Sequence, residues 1–585
     1  MKILLVSSPA RDSPEALSLG AASVAAALTA AGRASSRDGD SLAAAQVELL
    51  EGRLGEAAES LASRIAAARP EAVGFSTYSW NRELFSEAAR LLRPMLPAAT
   101  LFAGGPEATA DPEALALESG LDFAIAGEGE TASVAALRAI GESRRDALAD
   151  IAGVVVPGRP WRRSPPEDPA SLPSPWLLGS IDPASLGGDL VWELSRGCPF
   201  RCAYCYESKG QSGSRPFPME RIEAELELFA RSGIRYAFVL DPTFDSDPVR
   251  AAVLLDLFRK RAPGMRWKFE LRAELLDKGL ARRFAGLDCS LQIGLQSARA
   301  ETLATVGRPG FDRSEFARKV GMLSQSGASF GLDLIYGLPG DSLADFRDSL
   351  DFALGLGPNH LDVFPLALLP GTELAERADE LGIEADPRPP YLVRATRELP
   401  PPDLARAASL AAACDRFYTE GRAVGWFDAA RRPLKKSPSA LLRDFASWLA
   451  GRAAPLSKAS SGTVGEGASA VEAEQLGFLE AEYSRAGLAT LYPALRDLVR
   501  LHGAWARALA EGEESLLELS YDPEEILGAA AAGLAAFARG ARRANGEWRV
   551  LPDAAEGARI ERAQESRASP GGRGHHRPTE RNRRS

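Results

Sequence analysis

Hydrophobic and polar positions along the first 140 residues alternate between two periods. Residues 2–6, 71–76, 100–103 and 122–126 are short β-type runs, while residues 17–31, 55–68 and 82–92 carry helical spacing. Strand–helix alternation of this kind predicts a doubly wound parallel sheet, in which ligands sit beyond the carboxyl ends of the strands. The same alternation returns over residues 189–400. Candidate strands there are 190–195, 235–240, 267–274, 290–295, 331–336 and 361–366, with helices over 219–232, 248–262, 301–306, 313–327 and 343–354 between them. About six β/α units predict a partial barrel or a large open sheet. Beyond about residue 403 the pattern is helical and rich in Ala, Leu and Arg.

Parity along one strand favours an enclosed lumen. In residues 267–274, Lys268, Glu270, Arg272 and Glu274 share one face, and Trp267, Phe269 and Leu271 share the other. A charged face inside a helix-wrapped sheet requires a polar cavity, because charges buried without partners are very costly. An exposed edge strand would show the same alternation.

The expected division is therefore residues 1–150 as a Rossmann-like domain, 151–188 as a linker, 189–400 as the barrel, 401–560 as a helical domain and 561–585 as a disordered Arg-rich tail. The linker contains the Pro-rich stretch 157–175, and a Gly/Ser break falls at residues 458–469. A length of 585 residues is consistent with roughly four units at about 150 residues each.

Composition narrows the chemistry. Hydrophobic residues at 45% and charged residues at 25% are ordinary for a globular protein, and a net charge of -10 gives no basic footprint for nucleic acid. The opening apolar run is too short for a signal-peptide core. The longest later run, residues 526–538, falls short of the ~20 residues a membrane span needs. A cytoplasmic protein with neither membrane nor nucleic-acid partners is expected. The chain has 5 Cys and 4 His, so metal or nucleophilic chemistry must draw on a short inventory.

Three of those cysteines, Cys198, Cys202 and Cys205, are spaced Cys-x3-Cys-x2-Cys just after a predicted strand. Three thiolates on one loop can hold three corners of a cubane iron–sulfur cluster and leave one iron open. Structural zinc would want a fourth ligand, but His360 and His502 are isolated and His575 and His576 lie in the tail. Three adjacent cysteines also make an odd set for disulfides. Cys289 has the parity of the apolar strand face, and Cys414 follows an Ala run on a predicted helix, so both read as core.

This motif, with Tyr204 before its last cysteine, resembles the radical S-adenosylmethionine (SAM) superfamily. The resemblance implies a [4Fe-4S] cluster on Cys198, Cys202 and Cys205, with SAM on the open iron. It further implies reductive cleavage of SAM to a 5'-deoxyadenosyl radical, a small-molecule substrate and a low-potential electron donor of flavodoxin or ferredoxin type. Supporting segments are Asp241-Pro242-Thr243-Phe244, Gln292 to Ser297, Arg308, and Asp333 to Gly340. By the same resemblance Tyr204, Asp241, Thr243, Gln296, Ser297, Arg308 and Gly337 are expected SAM contacts, and Glu270 and Arg272, with Glu274, are expected from the lumen face to contact SAM or substrate. Gln296 stands where Glu is commoner, which keeps an acceptor and removes a charge.

The first 150 residues resemble the cobalamin-binding domain that precedes the barrel in one branch of that superfamily. The matches are Ser76-Thr77-Tyr78, Gly104-Gly105-Pro106-Glu107 and Gly127-Glu128-Gly129-Glu130, all in loops after strands and all expected at cobalamin. As sequence alone, the same loops could be tight turns. No His precedes His360, so this domain offers no histidine ligand to cobalt. The resemblance implies radical methyl transfer to an unactivated carbon. The alternatives are a cobalamin-free radical reaction such as rearrangement, cyclisation or sulfur insertion, and a non-catalytic iron–sulfur electron carrier or sensor.

Overall fold

The structure is a computed structural model. It describes all residues except 12–16, 36–39, 208–212, 453–467, 529–532, 554–556 and 564–585. Most of the Gly/Ser break, nearly all of the Arg-rich tail, and His575 and His576 lie outside the described residues.

The N-terminal sheet contains β1 (Lys2–Ser7), β2 (Gln46–Glu51), β3 (Ala72–Ser76), β4 (Thr100–Gly104), β5 (Phe123–Ile125) and β6 (Val154–Val155), in the order β2-β1-β3-β4-β5-β6. All neighbours are parallel except β5 and β6. Alternation along β1 builds two cores. Leu4 and Val6 pack toward the helices Ala58–Ala68 and Arg82–Met95, while Ile3 and Leu5 pack toward Leu19–Arg33 and Glu130–Gly141. The sheet is thus doubly wound, and its strand order places the topological switch between β1 and β3. The sequence reading has no counterpart to β2: its residues are mostly exposed, so the strand carries no buried stripe to betray it.

The second sheet holds six strands in chain order, β7 (Asp189–Trp192), β8 (Tyr236–Val239), β9 (Arg266–Leu271), β10 (Cys289–Gln296), β11 (Ser329–Tyr336) and β12 (His360–Pro365). Every neighbouring pair is parallel. The expected faces of β9 are realised. Trp267, Phe269 and Leu271 are buried, with Trp267 and Phe269 in an aromatic group with Phe258. Cys289 lies on that packed side, its thiol 3.3 Å from the Phe284 carbonyl, and Cys414 is buried at the end of helix Pro401–Cys414.

The Pro-rich segment between the sheets is tied down. Glu167 N–H donates to Glu128 at 2.6 Å, and Ser174 Oγ donates to the buried Glu225 at 2.5 Å.

The chain divides into two compact units, one comprising residues 1–424 and 436–467 and the other residues 425–435 and 468–585. The second unit has the expected helices, among them Ala468–Arg485 and Tyr492–Glu511, and also an unexpected antiparallel sheet. Its strands are β13 (Ser515–Tyr521), β14 (Arg543–Asp553) and β15 (Gly557–Arg562). In β13, Leu517, Leu519 and Tyr521 are buried at period two. That short signal is masked by the Ala/Leu/Arg composition around it. Among the described residues no helix is long and apolar enough to cross a membrane.

Candidate functional site

The three-cysteine loop is held at both ends. Where it leaves β7, Asp241 clasps the backbone: its carboxylate accepts from Leu194 N–H at 2.8 Å, Ser195 N–H at 3.0 Å and Ser195 Oγ at 2.6 Å. Asp241 is almost wholly buried, and that burial lifts its pKa to about 6 against the pull of those hydrogen bonds. Both carboxylate oxygens are thereby engaged, so Asp241 holds the backbone where the loop begins.

Further along, Ala203 N–H donates to the Val306 carbonyl at 2.9 Å and the Ala203 carbonyl accepts from Leu374 N–H at 2.8 Å. Gly307 makes that seam possible. Its φ is +76°, and a Cβ there would stand 2.4 Å from the Arg201 carbonyl oxygen. Cys198, Cys202 and Cys205 are all free and half-buried. Among the described residues no group of three His, Cys, Asp or Glu side chains is placed to hold a single metal ion. Three thiolates of a cubane bind three different irons and need not converge on one atom.

Several expected SAM residues gather around this loop. Thr243 Oγ1 lies 3.6 Å from Cys198 Sγ. Tyr204 hydrogen-bonds both Cys202 and Arg308, and burial raises its phenol well above the usual range. Arg308, itself buried, donates to the Gly294 carbonyl at 2.8 Å and stands 3.6 Å from Glu274. Arg272 lies over the Phe200 ring at 3.7 Å and pairs with Glu274 at 2.8 Å. Gln296 takes the left-handed conformation, φ +69°, and the side-chain amide so placed stands 2.6 Å from where a Cβ on Gly294 would be.

Three buried polar atoms here have no hydrogen-bond partner: Gln296 Oε1, Arg272 Nε, and Oδ2 of Asp245, whose Oδ1 accepts from Arg272 N–H at 3.1 Å. An orphaned buried acceptor or donor costs about 1–3 kcal/mol, so a ligand rich in hydroxyl, amino and carboxylate groups fits this site. Ser297 is fully buried and accepts from Arg299 N–H at 3.1 Å. Gly337, at φ +92°, lies against the apolar Leu366, Leu404 and Val393. Those two shape the strand ends and offer no free polar side chain to a ligand.

The barrel lumen carries a polar network centred on Gln292. The register sets Glu270 beside Gln292, Asp333 beside Asp362 and Gly331 beside His360. Gln292 Nε2 donates to Asp333 and, at 3.1 Å, to Asp362, while its Oε1 meets His360 Nε2 at 2.5 Å. Gly331 leaves room for the imidazole, since a Cβ there would lie 2.1 Å from His360 Nε2. Burial lifts Asp333 and Glu270 to about 7. His360 seemed isolated in sequence; strand parity across β10, β11 and β12 is the signal that joins it to Gln292 and the two aspartates.

A cavity of about 320 Å3 opens at the carboxyl ends of the N-terminal strands. Nine of the expected cobalamin residues line it: Ser76 and Tyr78 after β3, Gly104, Gly105 and Pro106 after β4, and Gly127, Glu128, Gly129 and Glu130 after β5. Gly74 and Gly105 shape the walls. A Cβ on Gly74 would meet the Phe102 ring at 2.4 Å, and one on Gly105, at φ +100°, would meet the Thr77 carbonyl oxygen at 2.6 Å. Such a glycine cradle, with donors and carboxylate acceptors around it, fits a large ligand edged with amide groups.

The other two expected contacts do not reach the cavity. Thr77 donates to the Gly104 carbonyl at 2.7 Å, and Glu107 is buried between Arg82 at 2.9 Å and the Tyr391 hydroxyl at 2.6 Å. Sequence reasoning missed the opposite wall, which comes from the barrel: Glu193, Arg196, Gly197, Tyr206 and Glu207. Burial lifts Glu193 to about 7, although Arg196 pulls it the other way. The proximity of Gly197 to Cys198 was the available hint, since the loop that bears the cysteines also walls the cavity.

Comparison with known proteins places both domains. The family model described as the Radical SAM superfamily matches residues 192–353, and that of the B12 binding domain matches residues 13–137. The 2-(S-pantetheinyl)-carbapenam-3-carboxylate methyltransferase of Streptantibioticus cattleyicolor is 29% identical over 357 residues, 55% of this chain and 51% of that protein. The cobalamin-dependent radical SAM methyltransferase TokK of Streptomyces tokunonensis is 27% identical over 352 residues, 56% of this chain and 51% of its own. The chain therefore spans about half the length of these curated relatives.

Among solved structures, radical S-adenosylmethionine methyltransferase TsrM from Kitasatospora setae, with cobalamin and a [4Fe-4S] cluster bound, superposes with a TM-score of 0.52. It is 19% identical and covers 66% of this chain and 81% of its own. The cobalamin-dependent S-adenosylmethionine radical enzyme OxsB with aqua-cobalamin gives a TM-score of 0.56 at 14% identity, over 92% of this chain and 84% of its own. These likenesses establish the fold.

Proposed function

From a chain that carries a radical SAM domain and a B12-binding domain, we propose a cobalamin-dependent radical SAM methyltransferase. It transfers a methyl group to a poorly activated carbon of a small molecule. One observation carries the reading: the three-cysteine loop is part of the wall of the cavity at the N-terminal domain's strand ends, through Arg196 and Gly197. The cysteine loop and the glycine-lined cavity thus share a boundary, as a reaction using a cluster and cobalamin together requires. Both curated relatives described above are named as methyltransferases, which supports methyl transfer as the reaction.

When bound, the cluster and SAM supply the substrate radical and cobalamin supplies the methyl group. The chain's own residues do the rest. Cys198, Cys202 and Cys205 hold the cluster. Thr243, Tyr204, Arg308, Gln296 and Arg272 surround the loop with groups suited to the amino acid and ribose portions of SAM. Asp241 and Gly307 fix the loop from behind, and the Gln292 network provides polar anchorage for substrate in the lumen. Packing against helices keeps water from the apolar side of the sheet. A low-potential flavodoxin or ferredoxin type donor supplies the electron, and a reducing compartment keeps the thiols available.

Anaerobic turnover with dithionite, SAM and hydroxocobalamin tests this. A candidate substrate that is methylated should yield S-adenosylhomocysteine and 5'-deoxyadenosine together. 5'-Deoxyadenosine without S-adenosylhomocysteine during turnover would replace methyl transfer by a cobalamin-free radical reaction. Failure of the reduced, iron-loaded protein to cleave SAM at all would leave an electron carrier or sensor.

A further inference from the structure

Arg196 lies two residues before the first cluster cysteine, and its guanidinium is shared between Glu193 of its own domain and two glutamates of the N-terminal domain. Nη2 donates to Glu130 at 2.6 Å, Nε donates to Glu193 at 3.1 Å, and Nη1 stands 3.9 Å from Glu128. The backbone around it is fixed as well, because Ser195 and Arg196 pair antiparallel with Pro216 and Arg215. Arg215 in turn bonds Glu128. Two arginines on one short ladder therefore grip the turn 127–130 that follows β5.

Charge-assisted bonds of this kind are short and directional, and Arg196 is only 12% exposed, so water screens them little. Burial disfavours the Arg196 charge, but Glu193 and Glu130 more than offset that and leave its pKa raised. Arg196, Gly197 and all four residues of the turn 127–130 line the same cavity. Anything that fills the cavity presses on both ends of the bridge, and one end leads directly into Cys198.

We propose that Arg196 is a positioning residue that couples the cavity to the cluster loop, so that cobalamin in the cavity alters the cluster and the cluster alters the affinity for cobalamin. This rests on the cofactor assignments proposed above. The two effects must be reciprocal, since a coupling free energy between binding sites acts equally in both directions.

A second contact between the same two domains provides the control. Tyr391, beyond β12, donates to Glu107 at 2.6 Å, and Glu107 also takes Arg82. None of these three residues lines the cavity, and none bonds Arg196. Loosening that contact weakens docking of the domains without cutting the Arg196 bridge.

The test uses the anaerobically reconstituted full chain, with hydroxocobalamin as probe and four readouts: iron content, cobalt content, the electron paramagnetic resonance spectrum of the reduced cluster, and cobalamin Kd by visible titration. In the wild type, cobalamin should shift the g values of the cluster, and cluster assembly should change cobalamin Kd by about ten-fold. Arg196→Gln should load both cofactors, lose the spectral shift and bring the Kd ratio to about one. Arg196→Lys, which keeps the charge but loses the two-pronged grip, should restore part of the shift. Tyr391→Phe should keep the wild-type response.

A full shift in Arg196→Gln, or its equal loss in Tyr391→Phe, would overturn the proposal. If Arg196→Gln does not fold, Glu130→Gln cuts the bridge from the other side and carries the same expectation. Loss of iron in both would make the bridge merely structural and equally overturn the coupling. Wild-type protein that takes iron but no cobalamin would defeat the cobalamin assignment itself. Cobalamin uptake without any shift would defeat the coupling alone.

Discussion

Replacing Gly307 by alanine tests whether the cysteine loop is held in place by the backbone seam behind it. The left-handed conformation at φ +76° costs an alanine about 1–2 kcal/mol. The new Cβ would also sit 2.4 Å from the Arg201 carbonyl oxygen, and backbone cannot swing aside as a side chain can. The Arg201–Ala203 segment must therefore move away. That breaks the 2.9 Å bond from Ala203 N–H to the Val306 carbonyl, at a residue only 2% exposed. A buried amide left without its acceptor costs a further ~1–3 kcal/mol. The sum, about 2–5 kcal/mol, corresponds to a ~30-fold to several-thousand-fold fall in the equilibrium constant for the correctly placed loop. Iron per chain and brown absorbance after anaerobic reconstitution measure that population. The expected result is a large loss of bound iron in Gly307→Ala. Gly310→Ala is the internal control: φ is +83° there too, but no atom lies within 4 Å of the added Cβ, so it carries strain alone. Iron binding by Gly307→Ala equal to that of Gly310→Ala, with an unchanged spectrum, would refute the reasoning.

Substituting any one of Cys198, Cys202 and Cys205 by Ala should remove the cluster absorbance, whereas Cys289→Ala and Cys414→Ala should retain it; iron analysis separates the two groups. Gly105→Ala places a Cβ 2.6 Å from the Thr77 carbonyl oxygen at φ +100°, so cobalamin affinity should fall at least ten-fold while iron loading is unchanged, read by cobalt and iron content. Asp333 has its pKa raised by burial to about 7, so the folded state holds its proton more tightly than the unfolded one. Its contribution to stability is present at low pH and is lost as pH rises from about 4 to about 7, at up to ~1.4 kcal/mol per pH unit. Asp333→Asn should therefore show a flatter melting temperature across that window than the wild type, and parallel curves would remove the argument.

What the sequence disclosed follows a physical rule. Local spacing and strand parity are properties of contiguous residues, and they were readable. The three cysteines fall within eight positions of one loop, and the two faces of β9 separate as Lys268 and Glu270 against Trp267 and Phe269. The loops after β3, β4 and β5 were visible as breaks of small hydroxyl residues or glycines, and nine of their eleven flagged residues do meet in one cavity. The strands missed are those without a buried stripe, such as β2, or with a brief one in helix-like composition, such as β13.

The motif residues already engaged within the protein follow a different rule. Asp241, Glu107 and Thr77 are polar residues in the expected motifs, and each is bonded to a partner remote in sequence. Asp241 holds the Leu194–Ser195 backbone 46 and 47 residues away, and Glu107 meets Tyr391 across 284 residues. A motif specifies that a polar group is present, and the fold decides whether its hydrogen bonds are already spent. The same distinction selects the residues left for chemistry. Gln296 and Arg272 retain buried atoms without partners beside the cysteine loop. Arg196 joins that loop to the turn 127–130 across 66 residues. Satisfied groups hold the site in shape, and the unsatisfied ones are where a ligand gains most by binding.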